Sequence, residues 1–404
     1  MSAQPLAGLK VLDLSRVLAG PWCTQLLADM GADVIKVEQP GAGDDTRHWG
    51  PPWHTHGDQK VAAYFLAANR GKKSVAIDFA TAQGAQLVKR MAADADILVE
   101  NFRVGGLKKH ALDADSLRGA NPALIYASVT GFGQDGPYAD RAGYDYMIQA
   151  MGGMMSVTGQ PDGAPGGEPL KVGVAIADIF TGMYAASAIL AALHERTQSG
   201  QGAHIDMALF DTQLAVLANQ ASNAMVSGRN PTRMGNNHPN IVPYRPFATA
   251  DRAIVLAVGN DRQFAKLAAI CGHPEWAHDE RFATNAARVT NRDAICAKIE
   301  AIMVDKSSDH WMELLLDAGI PAGPINSISE ALADPQAVHR GIKQARGTGG
   351  LGATPMVGSP VRIDGERADA SLSPPALGEH TSAVLTEYVD ETELEQLRAD
   401  GVIA

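Results

Sequence analysis

Along the first 130 residues, short unbroken apolar runs take turns with longer stretches whose apolar positions recur at helical spacing. Residues 9–14 (Leu-Lys-Val-Leu-Asp-Leu), 32–38 (Ala-Asp-Val-Ile-Lys-Val-Glu), 74–79, 97–100 and 123–128 read as strands. Between the first two, a helix opens at Pro21 and closes at Gly31; proline suits the first helical position because its missing N–H would find no partner there. A second helix is expected over 82–93. Strands interleaved with helices imply βαβ units, because each crossover helix returns the chain to begin a strand in the same direction. A mostly parallel sheet follows.

Further on, 179–196 reads as a long apolar helix, 200–202 as a turn and 204–209 as a strand, with Asp211 placed to cap a helix running to residue 226. The Gly-, Asn-, Arg- and Pro-rich segment 227–243 loses all periodicity and reads as a linker or an active-site loop. Residues 246–259 suggest a hairpin turning at Ala250-Asp251, with helices following to residue 318. After Pro324 the chain is loop-rich, with a last strand at 361–363 and a helix at 381–388. The expected fold class is α/β: a Rossmann-like large domain over 1–226 with a mostly parallel sheet, the linker or loop 227–243, and a smaller α+β domain over 244–330. Segment 331–404 has too little core of its own and is expected to return to the large domain.

Composition narrows the function. The chain has 404 residues, 46% of them hydrophobic, and a formal net charge of −11 without any Lys/Arg run, so no nucleic-acid partner is expected. The most apolar stretch, 172–193, contains Asp178, Thr181 and Ser187, which fits a buried helix better than a membrane span. The N-terminal ten residues lack a signal-peptide pattern, and a cytoplasmic protein with no membrane association is expected. Cys23, Cys271 and Cys296 are odd in number and set among apolar residues, as reduced core thiols would be. His54 and His56 lack a third ligand at a usual spacing, and neither His-Glu-x-x-His nor Gly-x-Ser-x-Gly occurs. No metal and no Ser-His-Asp hydrolase are expected.

Three places remain for chemistry. The turn Ser15-Arg-Val-Leu-Ala-Gly-Pro21 exposes backbone N–H groups and a helix N-terminus, a seat for an anion, though an ordinary strand–helix loop would look the same. Arg70, Lys72 and Lys73 beside one strand, and Arg103, Lys108 and Lys109 beside another, would flank a phosphate-holding cleft if those strands were neighbours; a solvated rim is the plainer alternative. Asp178 lies between two apolar stretches, where a carboxylate must cap, pair or react, because burying it alone is costly. At a helix N-terminus it would both cap and stay ionised, and an ionised carboxylate can be a nucleophile.

Residues 6–21 (Leu-Ala-Gly-Leu-Lys-Val-Leu-Asp-Leu-Ser-Arg-Val-Leu-Ala-Gly-Pro) and 27–38 resemble the opening of family III CoA-transferases. So do, in the family's order, Asn69-Arg-Gly-Lys-Lys-Ser74, Val99-Glu-Asn-Phe102, Ala127-Ser-Val-Thr-Gly-Phe-Gly133 and Pro374-Pro-Ala-Leu-Gly-Glu-His-Thr381. The resemblance implies that Asp178 is the nucleophile. It places Leu18, Ala19, Gln39, Ile77, Asp78, Phe79, Asn101, Phe102, Arg103 and Lys109 at coenzyme A contacts, Gln39 standing where some relatives carry arginine. It makes Gly235-Asn236-Asn237-His238 a mobile active-site loop, although a plain linker would share that composition.

The implied reaction moves coenzyme A from an acyl-CoA to a carboxylic acid through an aspartyl-CoA thioester, with coenzyme A as substrate and no permanently bound cofactor. The alternative is an α-methylacyl-CoA racemase of the same superfamily. Its catalytic histidine would fall on Tyr144, whose ordinary pKa near ~10, against ~6.5 for histidine, suits neutral proton shuttling poorly. Tyr144 and Asp145 are then site-shaping residues. Segments 41–52 and 241–247 are similar to the succinyl-CoA–glutarate branch, where Arg47 and Arg245 would pair with a second carboxylate. Family members form interlocked homodimers, and the same is expected here.

Overall fold

Strands β1 (Lys10–Asp13), β2 (Asp33–Glu38), β3 (Lys72–Ala76), β4 (Ile97–Glu100), β5 (Ile125–Thr130) and β6 (His204–Ala208) lie in the order β3-β2-β1-β4-β5-β6, every neighbouring pair parallel. The computed structural model describes residues 4–347 and 349–404. Met1–Ala3, part of the N-terminal stretch examined for a signal peptide, and Thr348 lie outside them. Two compact units are distinguished. The first comprises the chain up to Met154, Lys171–Gly228 and Pro335–Ala404; the second comprises Met155–Leu170 and Arg229–Asp334. Segment 227–243, read as a linker, therefore divides after Gly228.

The inner strands are near-continuous apolar runs because both sheet faces are covered. All six residues of β5 and all four of β4 are buried. On one face Leu12, Ile35, Val37, Val75, Leu98 and Tyr126 meet the helix Ala82–Ala93 and the C-terminal Val384, Leu385, Leu394 and Leu397. On the other, Val11, Val34, Ile97, Val99, Ile125 and Val129 meet helices α1 (Ala19–Asp29), α2 (Asp145–Met151) and α3 (Ile176–Ser199). The C-terminus is tied to the sheet through Asp78 N–H to the Val402 carbonyl (2.8 Å) and Ala76 N–H to Thr381 Oγ1 (3.0 Å). All three cysteines are buried and unbonded.

Helix α3 is long and apolar enough to cross a membrane. In this fold its inner face packs on α1 and the sheet instead. Gly182 permits the closest approach: a Cβ there would sit 2.5 Å from the Ala19 carbonyl oxygen and 3.1 Å from Trp22 Cβ.

Three expectations change, one being that Asp211 is no cap: it lies inside the first turn of the helix Leu209–Val216, whose N-cap is Ala208, and a separate helix follows over Ala218–Ser227. Helix α3 begins at Ile176, three residues earlier than the periodicity implied, so Asp178 lies inside its first turn and the N-cap position is Ala175. The basic clusters do not flank one cleft. Strands β3 and β4 are separated by β2 and β1. Lys72 is fully buried against Asp13 (2.9 Å), Arg70 is paired with Asp29, and Lys73 with Asp33 (2.8 Å). These cations neutralise buried or half-exposed carboxylates of strands β1 and β2 and of helix α1, a need that charge clustering along the chain does not reveal.

In the second unit Tyr244–Phe247 and Ile254–Ala257 form the expected antiparallel hairpin, with Ala322–Pro324 added beside the latter. Helices Asp261–Ile270, Arg292–Met303 and Ser308–Asp317 close a core of Phe247, Leu256, Phe264, Phe282, Ile299 and Trp311. Arg288 is wholly buried in it, donating to the carbonyls of Val242 (2.7 Å) and Phe282 (2.8 Å) and to Asp261 (2.8 Å).

Candidate active site

In an open parallel sheet the connections leave in opposite directions at one point, and a crevice opens there outside the carboxyl ends of the strands. Here that point lies between β1 and β4. The segments leaving their carboxyl ends, Arg16–Ala19 and Asn101–Val104, line a cavity of about 450 Å³. Val129–Gly131 from the end of β5, Arg141–Tyr144, Asp45 and Asp178 complete much of the wall.

The turn after β1 is held in an unusual shape. Val17 has φ 70°, a left-handed conformation that a β-branched side chain disfavours. Its surroundings over-determine it. Asp44 accepts the Val17 N–H (3.2 Å), Lys36 Nζ donates to the Ser15 carbonyl (2.8 Å) and pairs with Asp44 (2.9 Å), and both side chains are fully buried. Asn101 clamps Arg16 from the other side, accepting its N–H (2.8 Å) and donating to its carbonyl (2.6 Å). Burial works against ionising Asp44, yet Lys36 and the Thr46 N–H hold its pKa down at about 2. The result presents Leu18, Ala19 and the amino end of α1 to the cavity.

Asp178 enters from the first turn of α3. Its carboxylate has no hydrogen-bond or ionic partner among the described residues. Burial, and then the charge of Asp145, raise its pKa to about 7. Asp145 takes the capping role that the sequence assigned to Asp178: its Oδ1 accepts the N–H groups of Ala177 (2.8 Å) and Asp178 (3.4 Å). The nucleophile candidate is thus freed from capping its own helix. The segment carrying Asp145 is set by a backbone crossing that only glycine allows, since a Cβ on Gly143 would lie 2.2 Å from the Gly131 Cα.

Of the residues singled out from the sequence, Leu18, Ala19, Asn101, Phe102, Arg103, Tyr144 and Asp178 line this one cavity, Tyr144 being 65% exposed. Ile77, Asp78 and Phe79 are not in the wall; Phe79 meets Phe102 edge-to-face (5.6 Å), and Ile77 is fully buried in the sheet core. Gln39, Arg47 and Lys109 are not in the wall. Gln39 is exposed just beyond β2, and Lys109 is exposed in the turn Lys108–His110. Arg47, expected to meet a substrate carboxylate, is buried. Its Nε and Nη2 hold Glu38 (both 2.7 Å), its Nη1 reaches the Pro375 carbonyl (3.2 Å), and its guanidinium lies 3.7 Å from the Phe65 ring centre.

Gly235–His238 and Arg245 belong to the second unit. There Gly235 (φ 58°) donates to the Gly159 carbonyl (2.9 Å), Asn236 is exposed, Asn237 bonds the Met234 carbonyl and His238 packs on Tyr244 (5.1 Å). Arg245 meets Glu300 at 3.5 Å.

Sequence reasoning missed Arg16, Asp45, Arg141 and the Lys36–Asp44 and Lys72–Asp13 pairs. For the pairs a signal existed: Asp13, Lys36 and Lys72 are charges inside strands whose neighbours are buried. Among the described residues no cluster of His, Cys, Asp or Glu could hold a metal ion.

Comparison with known proteins agrees with the resemblance. The chain is 51% identical over 385 residues to a succinate–glutarate CoA-transferase of Agrobacterium fabrum, spanning 95% of each chain. It is 40% identical over 404 residues to a succinyl-CoA:glutarate CoA-transferase of Mus musculus, covering 100% of this chain and 91% of that one. A crystal structure of a CAIB/BAIF family protein from Brucella suis superposes with a TM-score of 0.84 at 51% identity, covering 95% of this chain and 99% of that one. The model of CoA-transferase family III matches residues 6–381, and a protein with this sheet and this cavity belongs to that family of coenzyme A-transferring enzymes.

Proposed function

We propose that the protein transfers coenzyme A from succinyl-CoA to glutarate through a thioester formed on Asp178. The observation that carries this is the unpartnered Asp178 carboxylate in a cavity walled by the turn after β1 and by Asn101–Arg103. Two relatives named as succinate–glutarate or succinyl-CoA:glutarate CoA-transferases support the substrate pair.

An Asp178 oxygen attacks the succinyl-CoA carbonyl, the C–S bond breaks, and a mixed anhydride and CoA thiolate result. The thiolate then attacks the aspartyl carbonyl of the anhydride, giving aspartyl-CoA thioester and releasing succinate. A glutarate carboxylate attacks that thioester, re-forming an anhydride and freeing CoA thiolate. Attack of the thiolate on the glutaryl carbonyl yields glutaryl-CoA and regenerates Asp178. Thioester energy passes from acid to acid, so neither ATP nor a permanently bound cofactor takes part. With a pKa of about 7, Asp178 is ionised in a large fraction of molecules at neutral pH. We place the working enzyme in the cytoplasm and, in keeping with the resemblance, as an interlocked homodimer.

The test is to mix the protein with succinyl-CoA, quench, digest, and weigh the peptide carrying Asp178. A coenzyme A adduct that borohydride reduction converts at that residue is expected. Turnover without any such adduct on Asp178 would refute the covalent route.

A further inference from the structure

The residues lining the cavity include three arginines, Arg16, Arg103 and Arg141, and two aspartates, Asp45 and Asp178. Arg16 is committed: its Nη1 pairs with Asp45 (3.1 Å) and its guanidinium lies 5.3 Å from the Phe102 ring centre. The Arg103 and Arg141 side chains have no ionic or hydrogen-bonding partner among the described residues. Arg103 sits beside Phe102, on the segment that the family resemblance gives to coenzyme A. Arg141 lines the cavity from another segment, the one that leads to Tyr144 and Asp145.

Arg141 is also fixed in place without being neutralised. Its guanidinium carbon lies 3.7 Å from the Tyr138 ring centre; Tyr138 meets Phe132 edge-on (5.4 Å), and Phe132 meets Phe210 (5.7 Å). Phe132 and Phe210 in turn pack on the sheet core. An aromatic stack restrains the planar group and leaves its N–H edges free for a carboxylate, which takes two parallel hydrogen bonds from such a fork. A dicarboxylate attacking Asp178 through one end must place its other charge somewhere in the same cavity. An isolated arginine there would make that charge favourable, and a monocarboxylate would leave it unpaired.

We infer that Arg141 is the specificity-determining residue that receives the distal carboxylate of the dicarboxylic acid. The inference rests on the proposed transferase reaction at Asp178.

Its test holds succinyl-CoA constant as donor and compares glutarate with pentanoate, which has the same chain length and one carboxylate. The ratio of their kcat/KM values cancels the donor half-reaction and any shared loss of folded enzyme. Arg141→Ala is expected to lower that ratio roughly 100-fold, and Arg141→Lys to recover part of it. An unchanged ratio, whether both rates stay or both fall together as for a coenzyme A contact, overturns the assignment while leaving the transferase reading intact. Failure of the unaltered protein to transfer coenzyme A to either acid would defeat both.

Discussion

Asp178 combines two circumstances that usually exclude each other, low solvation and the absence of a counter-ion. A carboxylate left unpaired is reactive because no hydrogen bond must be broken before it attacks. Asp178→Ala is expected to lower kcat by at least ~10³-fold while retaining coenzyme A binding, measured by calorimetry. The raised pKa gives two signs to check. The proposed nucleophile, Asp178, is ionised above about pH 7, so kcat/KM for acyl-CoA should rise with pH through that region. Asp145→Asn keeps an oxygen to cap α3 but removes the neighbouring charge, and the inflection should move to lower pH. For stability, the folded pKa lies above the ordinary aspartate value, so the folded state loses stability as pH climbs from about 4 to 7. Asp178→Asn should therefore stabilise the protein more at pH 8 than at pH 5 in denaturant titrations.

At the level of elements, the site depends on how closely α1 and α3 approach. Leu18 and Ala19 lead into one helix and Asp178 lies in the first turn of the other, and the contact at Gly182 sets their spacing. Gly182→Ala would press a methyl group onto the Ala19 backbone, which cannot yield as a flexible side chain could. A loss of about 1–3 kcal/mol in urea unfolding is expected, with kcat reduced further than stability alone explains. The turn before α1 is governed by buried charge instead. Asp44→Asn would leave Lys36 buried with its chief partner neutralised and Val17 held more weakly. A marked rise in KM for acyl-CoA, with kcat changed less, would separate this positioning role from general unfolding.

For the whole molecule, the notable feature is that a face of the parallel sheet is covered by the chain's last segment. Leu394 and Leu397 sit in the same core as Leu87 and Val88, which are more than 300 residues earlier. Leu397→Ala is expected to cost about 2–5 kcal/mol, comparable to Leu87→Ala, in equilibrium unfolding of the full chain. A much smaller loss for Leu397→Ala would mean that the segment is an appendage and not part of the cooperative core. The same long-range closure joins Pro375 to Arg47 and Glu38, so it reaches the buried ion pairs behind the turn after β1.

Periodicity along the chain was enough for the six parallel strands, most of their crossover helices and the hairpin of the second unit, because those patterns reflect which side of an element is buried. Ordered short motifs were enough for the family, and they singled out Asp178, which the fold places in the cavity wall. Strand order, the crevice between β1 and β4, and the pairing of Lys72 with Asp13, of Arg70 with Asp29 and of Arg47 with Glu38 came only from the folded chain. A charged residue has the same appearance in sequence whether it faces solvent, substrate or a buried partner, and distant segments decide which. Asp145 caps the helix of Asp178 across 32 residues, and Arg141 is left without a counter-ion by everything that folds around it. Local pattern can determine an element, but the ionic partner of a side chain is a property of the tertiary neighbourhood.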